Sequence, residues 1–136
     1  MREVVAAAAA RLPGMRSPGR LDGEALLNAY AAADTFVLPS TFEPWGLVVN
    51  EAMAAGLPVI VSKRVGCVED LVTDGVTGLV VEAGSASGLA AAMIRIAGDL
   101  PLRQAMKHAA RERIAPWTLA AEAEIVMRAW RGVLVA

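Results

Sequence analysis

Residues 35–62 decide the fold, and they read TFVLPSTFEPWGLVVNEAMAAGLPVIVS. Two short apolar runs, residues 35–38 and 58–62, lie at the ends of this stretch, and such runs are typical of strands buried in a parallel sheet. Between them the pattern predicts a helix over residues 47–55, which Gly56 ends. The stretch therefore predicts a strand, a loop, a helix and a second strand, the right-handed unit from which parallel sheets are built.

The rest of the chain continues this alternation. Residues 78–81 form a third apolar run and predict a third strand, with further helices at 2–12, 23–33, 67–73, 87–97, 102–113 and 119–134. Either Ser85 or Ser87 is the predicted N-cap of the helix at 87–97. We therefore expect an α/β fold, a three-layer, partial Rossmann-like domain with a short parallel sheet of about three strands and C-terminal helices. Doubly wound domains usually have about five or six strands, so the small number of strands is unusual.

Composition and charge exclude several classes of protein. A length of 136 residues suits one domain, and 56% apolar with 20% charged residues favours a folded chain over a disordered one. The net charge of −1 gives no basis for nucleic-acid binding. No apolar run reaches the roughly 18 residues that a membrane helix needs, so we expect no transmembrane segment and a cytoplasmic location.

The chain has a single cysteine, Cys67, and a single histidine, His108. Neither an internal disulfide nor a cysteine–histidine zinc cluster can form from them. The pKa of a thiol tends to fall at a helix start, but we interpret Cys67 as a packed small residue. Trp117 and Trp130 are interpreted as packing anchors around the last helix.

The loops that follow the predicted strands form the candidate site. In open parallel sheets, ligands bind beyond the carboxyl ends of the strands, and here residues 39–46, 62–70 and 82–86 occupy that edge. A helix begins at about Gly46, Leu47 and Val48. The free amides and the dipole at such a helix start attract a phosphate.

Two carboxylates flank this predicted phosphate site. Glu43 lies on the loop side, where a sugar would sit, and Glu51 lies about one turn into the helix. A carboxylate at that position can accept paired hydrogen bonds from a diol such as a ribose. The residues alone support equally well an alternative in which Glu43 is an ordinary loop acid and Glu51 stabilises the helix dipole.

Residues 39–60 resemble the signature of glycosyltransferase family 4, the group 1 transferases of the GT-B fold. The resemblance rests on the Pro-Ser opening, on the E-x7-E spacing of Glu43 and Glu51, and on the tail EAMAAGLPVI. It continues through Gly66, Glu69, Asp74, Gly75 and Gly78 and extends weakly to Trp117. It covers about residues 20–130.

The resemblance implies a retaining transferase that uses a nucleotide-activated sugar. Glu43 would be the catalytic-site carboxylate that hydrogen-bonds the donor sugar near its reacting carbon. The amides of Gly46, Leu47 and Val48 would hold the distal phosphate, and Glu51 would bind the ribose. No metal and no other cofactor is implied, because amides and basic side chains neutralise the diphosphate in this fold.

The chain also departs from the family. Members carry an Arg and a Lys on earlier segments and have an N-terminal acceptor domain, and nothing before residue 20 matches these parts. Residues 1–136 therefore resemble a partial, C-terminal, nucleotide-sugar-binding domain without the acceptor domain. We expect the donor-binding part of a glycosyltransferase that is inactive as an isolated chain. The alternatives are a truncated, non-catalytic module that binds a nucleotide-sugar or a partner, and a fragment that folds only by association.

The missing half also predicts association. In the family, another strand lies beside the strand at 35–38, so its absence would leave an open sheet edge. Open edges are templates for pairing with another chain. We expect the isolated chain to associate through this edge, to be capped by its own helix at 2–12, or to aggregate.

Overall fold

The computed structural model describes residues 2–134. In chain order the elements are α1 (Arg2–Arg11), α2 (Gly23–Ala32), β1 (Phe36–Leu38), α3 (Leu47–Ala54), β2 (Val59–Ser62), α4 (Val68–Leu71), β3 (Gly78–Val81), α5 (Ala86–Gly98), α6 (Leu100–Ile114) and α7 (Leu119–Leu134). All three predicted strands and all seven predicted helices are present, with ends that differ by at most a few residues. The chain divides after Ala32 into two compact units, of which the first holds α1 and α2.

The second unit is built on a three-stranded parallel sheet in the order β1-β2-β3. Phe36 of β1 lies opposite Val59 of β2, and Ile60 of β2 lies opposite Leu79 of β3. Strand β2 is fully buried because it lies in the middle of the sheet. Strand β1 forms one edge of the sheet of described residues, as the sequence predicts. Whether helix 2–12 covers that edge stays a prediction.

Helices lie on both faces of the sheet. On one face Ile60 and Leu79 pack with Ala92 and Ile96 of α5, and Val37 joins the same cluster. Successive side chains of a strand point to opposite faces, so Leu38 points away from this cluster. A Cβ atom at Gly46, directly before α3, would lie 3.3 Å from the Leu38 side chain, which places the start of α3 on the opposite face. The three-layer α/β arrangement is therefore confirmed.

Helix α6 completes the core by packing on both α3 and α5. Its buried face consists of Met106, Ala110 and Ile114. Asp99 caps its start by accepting a hydrogen bond of 2.9 Å from the Leu102 amide. Because α6 joins the helices of both faces, the second unit has one continuous core.

Helix α7 differs from the other helices of the second unit. Every side chain from Glu122 to Arg131 is exposed, and Trp130 is 68% exposed. The interpretation of Trp130 as a packing anchor is therefore wrong, because an apolar face of a helix is buried only when another element covers it. Trp117, at the corner before α7, is partly buried.

Candidate functional site

Two loops at the carboxyl edge of the sheet are hydrogen-bonded to each other. The Glu43 amide donates to the Arg64 carbonyl over 3.0 Å, and the Gly66 amide donates to the Glu43 carbonyl over 2.9 Å. The Cys67 amide donates to the Trp45 carbonyl over 3.0 Å. These bonds fix the loop that carries Glu43, so its backbone is held in one position although it lies outside the strands.

Gly66 makes this close approach possible. A Cβ atom at this position would overlap the carbonyl oxygen of Pro44, so a side chain there would push the two loops apart. A second tie lies nearby, where the Ser62 hydroxyl donates to the Ser40 carbonyl. The chain at residues 39–46 is therefore anchored at both ends.

The start of α3 has no side-chain cap. Gly46 is its N-cap residue, with φ 93° and ψ 58°, a left-handed conformation that favours glycine. The Gly46 carbonyl accepts from the Val49 amide over 2.8 Å. The amides of Leu47 and Val48 precede the first intrahelical bonds, so their donors point out of the helix end. Leu47 is 66% exposed, which leaves this end accessible.

The surrounding core requires glycine at position 46. A Cβ atom there would lie 2.9 Å from the Val65 side chain and 3.3 Å from the Leu38 side chain. The missing side chain therefore makes room for the protein's own core rather than for a ligand. The left-handed backbone of Gly46 then sets the direction in which α3 leaves the edge of the sheet.

The two candidate carboxylates lie on different parts of this edge. Glu43 is half-buried in the tied loop, and Glu51 is exposed on α3. Glu51 lines a groove of about 590 Å³ together with Asn50, Ala54, Arg111, Ile114, Ala115, Trp117 and Thr118. Glu43 does not line this groove. The structure therefore places both carboxylates beside the start of α3 but does not bring them into one cavity.

An aromatic pair next to this groove escapes prediction from the sequence. The rings of Trp45 and Trp117 lie with their centroids 5.8 Å apart and are inclined by 37°. The Trp45 indole nitrogen donates to the Asn50 side-chain oxygen over 3.1 Å, which ties the loop to α3. The two tryptophans are far apart in the chain. No local pattern in the sequence therefore predicts their contact.

The third loop of the edge meets the first. Pro39 after β1 and residues 81–89 around the start of α5 enclose a hollow of about 190 Å³. At its rim the Lys63 ammonium forms an ion pair with the Glu82 carboxylate. Lys63 and Arg64 are exposed. The three loops expected at the carboxyl edge therefore meet there.

Cys67, at the start of α4, is fully buried. Burial raises the pKa of the Cys67 thiol from 9.0 to about 11, and the charges of Asp70 and Glu43 act in the same direction. The interpretation of Cys67 as a packed residue is confirmed. The tendency toward a lower pKa at a helix start does not hold here, because removal of the thiol from water outweighs the short α4 helix.

Two further properties concern the described residues 2–134. None of their helices combines the length and the apolar character that crossing a membrane requires. No group of three or more His, Cys, Asp or Glu side chains among them is placed to hold a metal ion.

Comparison with solved structures identifies the fold. Sucrose-phosphate synthase from Thermosynechococcus elongatus superposes with a TM-score of 0.73 at 31% identity, over 98% of this chain and 42% of that protein. The Anabaena protein HepE, solved in complex with UDP, superposes with a TM-score of 0.67 at 29% identity, over 76% of this chain and 29% of that protein. The α/β domain described above is thus of the GT-B type found in glycosyltransferases.

Comparison of sequences identifies the family. The family model "Glycosyl transferases group 1" matches residues 6–113. Glycogen synthase from Mycobacterium tuberculosis is 39% identical over 126 residues, which are 89% of this chain and 30% of that protein. The chain therefore belongs to the group 1 glycosyl transferases, and it spans less than a third of the length of this relative.

Proposed function

We propose that this domain holds the nucleotide-sugar donor in a retaining glycosyl transfer. The observation that carries the proposal is the start of α3, which lies at the carboxyl edge of the sheet without a side-chain cap. Amides at such a helix end bind phosphate, and the helix dipole adds to the attraction. The hydrogen bonds between residues 43–45 and 64–67 hold this end rigid, so it is ready for an anionic ligand.

The residues around the helix start have separate roles in this proposal. The amides of Gly46, Leu47 and Val48 hold the distal phosphate. Glu43, held in the tied loop, accepts hydrogen bonds from the donor sugar near its reacting carbon. Glu51 accepts hydrogen bonds from the ribose. The complex of HepE with UDP supports a uridine nucleotide as the first ligand to test.

The proposal also includes the surroundings of the site. Amides and the helix dipole neutralise the diphosphate, so neither a metal nor another cofactor takes part. Residues 1–136 act as a partial donor-binding domain, and the acceptor domain lies outside them. The family match and the 30% share of the relative's length support this division. We place the protein in the cytoplasm, where nucleotide-sugars are made.

The isolated chain is expected to bind donor weakly and to transfer no sugar. Transfer requires groups directed at the leaving phosphates and at the acceptor, and electrostatic stabilisation of this kind is usually the largest catalytic contribution. Sugar release from UDP-glucose by the purified chain, above the level of a mock preparation, would contradict the expected inactivity.

Calorimetric titration with UDP and UDP-glucose tests the proposed binding. Glu51→Ala should weaken UDP binding roughly 10- to 100-fold, because charge-assisted hydrogen bonds contribute about 1.5–3 kcal/mol. Glu43→Gln should weaken the binding of UDP-glucose more than the binding of UDP. Glu112→Ala is a matched control, since Glu112 is an exposed acid on α6 that pairs with His108. Equal affinity of Glu51→Ala and the wild type would contradict the assignment of Glu51.

A non-catalytic binding module is the second candidate, because the chain spans only 30% of the length of the M. tuberculosis relative. A chimera separates the two. Residues 6–113 would replace the matching segment of the T. elongatus sucrose-phosphate synthase. Sugar transfer by the chimera that is abolished by Glu43→Gln would support the role in glycosyl transfer. Donor binding by the chimera without any sugar transfer would support the non-catalytic binding module.

A further inference from the structure

The Trp45 side chain joins the loop that carries Glu43 to the helix that follows it. Its indole nitrogen donates to the Asn50 side-chain oxygen over 3.1 Å. Asn50 lies in α3, whereas Trp45 precedes the N-cap residue Gly46, so this hydrogen bond spans the helix start. Glycine restricts its own φ and ψ angles less than other residues do, so the angle between loop and helix depends on such contacts. The bond therefore orients the amides of residues 46–48 relative to Glu43.

Trp117 holds the Trp45 ring in this position. The centroids of the two rings lie 5.8 Å apart and the rings are inclined by 37°. Aromatic pairs attract each other at separations and inclinations of this kind. Both side chains are partly buried. Without the Trp117 ring, the Trp45 indole would be able to turn into another rotamer and leave Asn50.

The corner between α6 and α7 presents Trp117 in a defined position. The Trp117 amide donates to the Ile114 carbonyl over 2.9 Å, and Ile114 is buried at the end of α6. Pro116 restricts the backbone directly before Trp117, because its ring fixes φ. Thr118 caps α7, since its hydroxyl accepts from the Ala121 amide over 3.1 Å. The backbone of Trp117 is therefore held from both sides of the corner.

We propose that Trp117 is a positioning residue for the phosphate site, which it orients through Trp45 without contacting the ligand. The inference rests on the proposed function and adds a residue that the family model, which ends at residue 113, does not include. The Trp117 ring fixes the Trp45 indole, and the indole holds Asn50. The amides at the start of α3 then stay directed at the phosphate, and preorganised donors bind without the cost of ordering them first.

NMR titration with inorganic diphosphate and with UDP tests this role, because it measures weak binding at the amide signals of residues 46–48. Inorganic diphosphate has neither ribose nor base, so it reports on the phosphate site alone. Trp117→Ala should weaken the binding of both ligands by a similar factor of about tenfold. Trp117→Phe keeps an aromatic ring and should restore most of the affinity. Trp130→Ala is the matched control and should bind as the wild type does, since Trp130 is 68% exposed on α7.

A double-mutant cycle separates positioning from packing. Trp45→Ala, Trp117→Ala and the double variant are compared in diphosphate affinity and in the free energy of unfolding by urea. Once Trp45 is alanine, replacing Trp117 should weaken diphosphate binding by about twofold or less, because its effect passes through Trp45. If Trp117→Ala is too unstable to titrate, Trp45→Phe decides. It keeps the ring but loses the donor to Asn50, so it should also weaken diphosphate binding by about tenfold.

The outcomes distinguish this inference from the proposed function. Unchanged diphosphate affinity in Trp117→Ala or in Trp45→Phe, with binding still at the amides of residues 46–48, would overturn the inference without affecting the proposed function. Weaker UDP binding with unchanged diphosphate binding would also overturn it, because Trp117 would then contact the nucleoside directly. If neither ligand shifted these amide signals in the wild type, the proposed phosphate site would be wrong, and the inference with it.

Discussion

Helices α3 and α5 both begin at the carboxyl edge of the sheet, yet their starts are built differently. At α5, the Ser85 hydroxyl accepts a hydrogen bond of 3.1 Å from the Gly88 amide. At α3, the corresponding position is Gly46, which has no side chain to offer. The amides of α5 are thus partly satisfied by the protein, and those of α3 remain for another acceptor.

The difference shows how one edge of a sheet can combine stability with binding. A side-chain cap stabilises a helix by about 1 kcal/mol relative to alanine but by only a few tenths of a kcal/mol relative to glycine, so its omission at Gly46 has a small cost. The bonds that tie residues 43–45 to residues 64–67 offset this cost by holding the start of α3 from outside the helix. We interpret α5 as a structural start and α3 as a functional one. Four substitutions test this interpretation.

The largest effect is expected at Gly66, on which the tie between the loops depends. In Gly66→Ala the new methyl group would overlap the Pro44 carbonyl. The two loops would have to move apart, and the backbone hydrogen bonds between them would lengthen. We expect the free energy of unfolding to fall by about 3 kcal/mol or more, as measured by urea denaturation. Gly98→Ala is the control, because a Cβ atom there meets nothing within 4 Å. Equal stability of the two variants would show that the tie does not support α3.

A smaller loss is expected at Gly46. Gly46→Ala combines a left-handed backbone, which costs a non-glycine residue about 1–2 kcal/mol, with a close contact to Val65. We expect a total loss of about 2–3 kcal/mol by urea denaturation. Gly75→Ala shares the positive φ but meets no atom within 4 Å, so it should lose only the backbone part. Similar losses of stability in Gly46→Ala and Gly75→Ala would show that the contact with Val65 does not contribute.

The elements of this fold are largely predictable from the sequence because each strand is a short apolar run with clear ends. Residues 78–81 are predicted without error. The choice between Ser85 and Ser87 as N-cap required the structure, since both lie near the predicted helix start. The structure places Ser85 directly before α5, in an extended conformation, and Ser87 in the first turn of α5.

The details of the candidate site are less predictable, because they depend on contacts between distant residues. The resemblance to the family indicates Glu43, Gly46 and Glu51, but no local pattern shows that the Glu43 backbone pairs with Arg64 and Gly66. Local reasoning also places the pKa of the Cys67 thiol too low, since a helix start is visible in the sequence and burial is not.

Cys67 extends the comparison to a third helix start, that of α4. Its thiol has a pKa of about 11 in the folded chain against 9.0 when exposed. Below pH 9 the thiol is protonated in both states, and above it the unfolded state loses the proton first. Stability should therefore fall between pH 9 and 11, by roughly 2–3 kcal/mol. Cys67→Ala should lack this part of the alkaline loss, as urea denaturation at several pH values would show. If the free energy of unfolding fell equally with pH in the wild type and in Cys67→Ala, the Cys67 thiol would not be removed from water in the folded chain.

The smallest effect is expected at the start of α5, where the cap is a single hydroxyl. Ser85→Ala removes the acceptor of the Gly88 amide and should lower the free energy of unfolding by about 1 kcal/mol. Ser87→Ala, in the first turn of the same helix, is the control and should be close to neutral, since alanine is at least as good a helix former as serine. UDP binding should stay unchanged in Ser85→Ala, because the proposed phosphate site uses the amides of α3. A weaker affinity for UDP in this variant, with an unchanged free energy of unfolding, would indicate that UDP binds at the start of α5. The assignment of a structural start to α5 and a functional start to α3 would then be reversed.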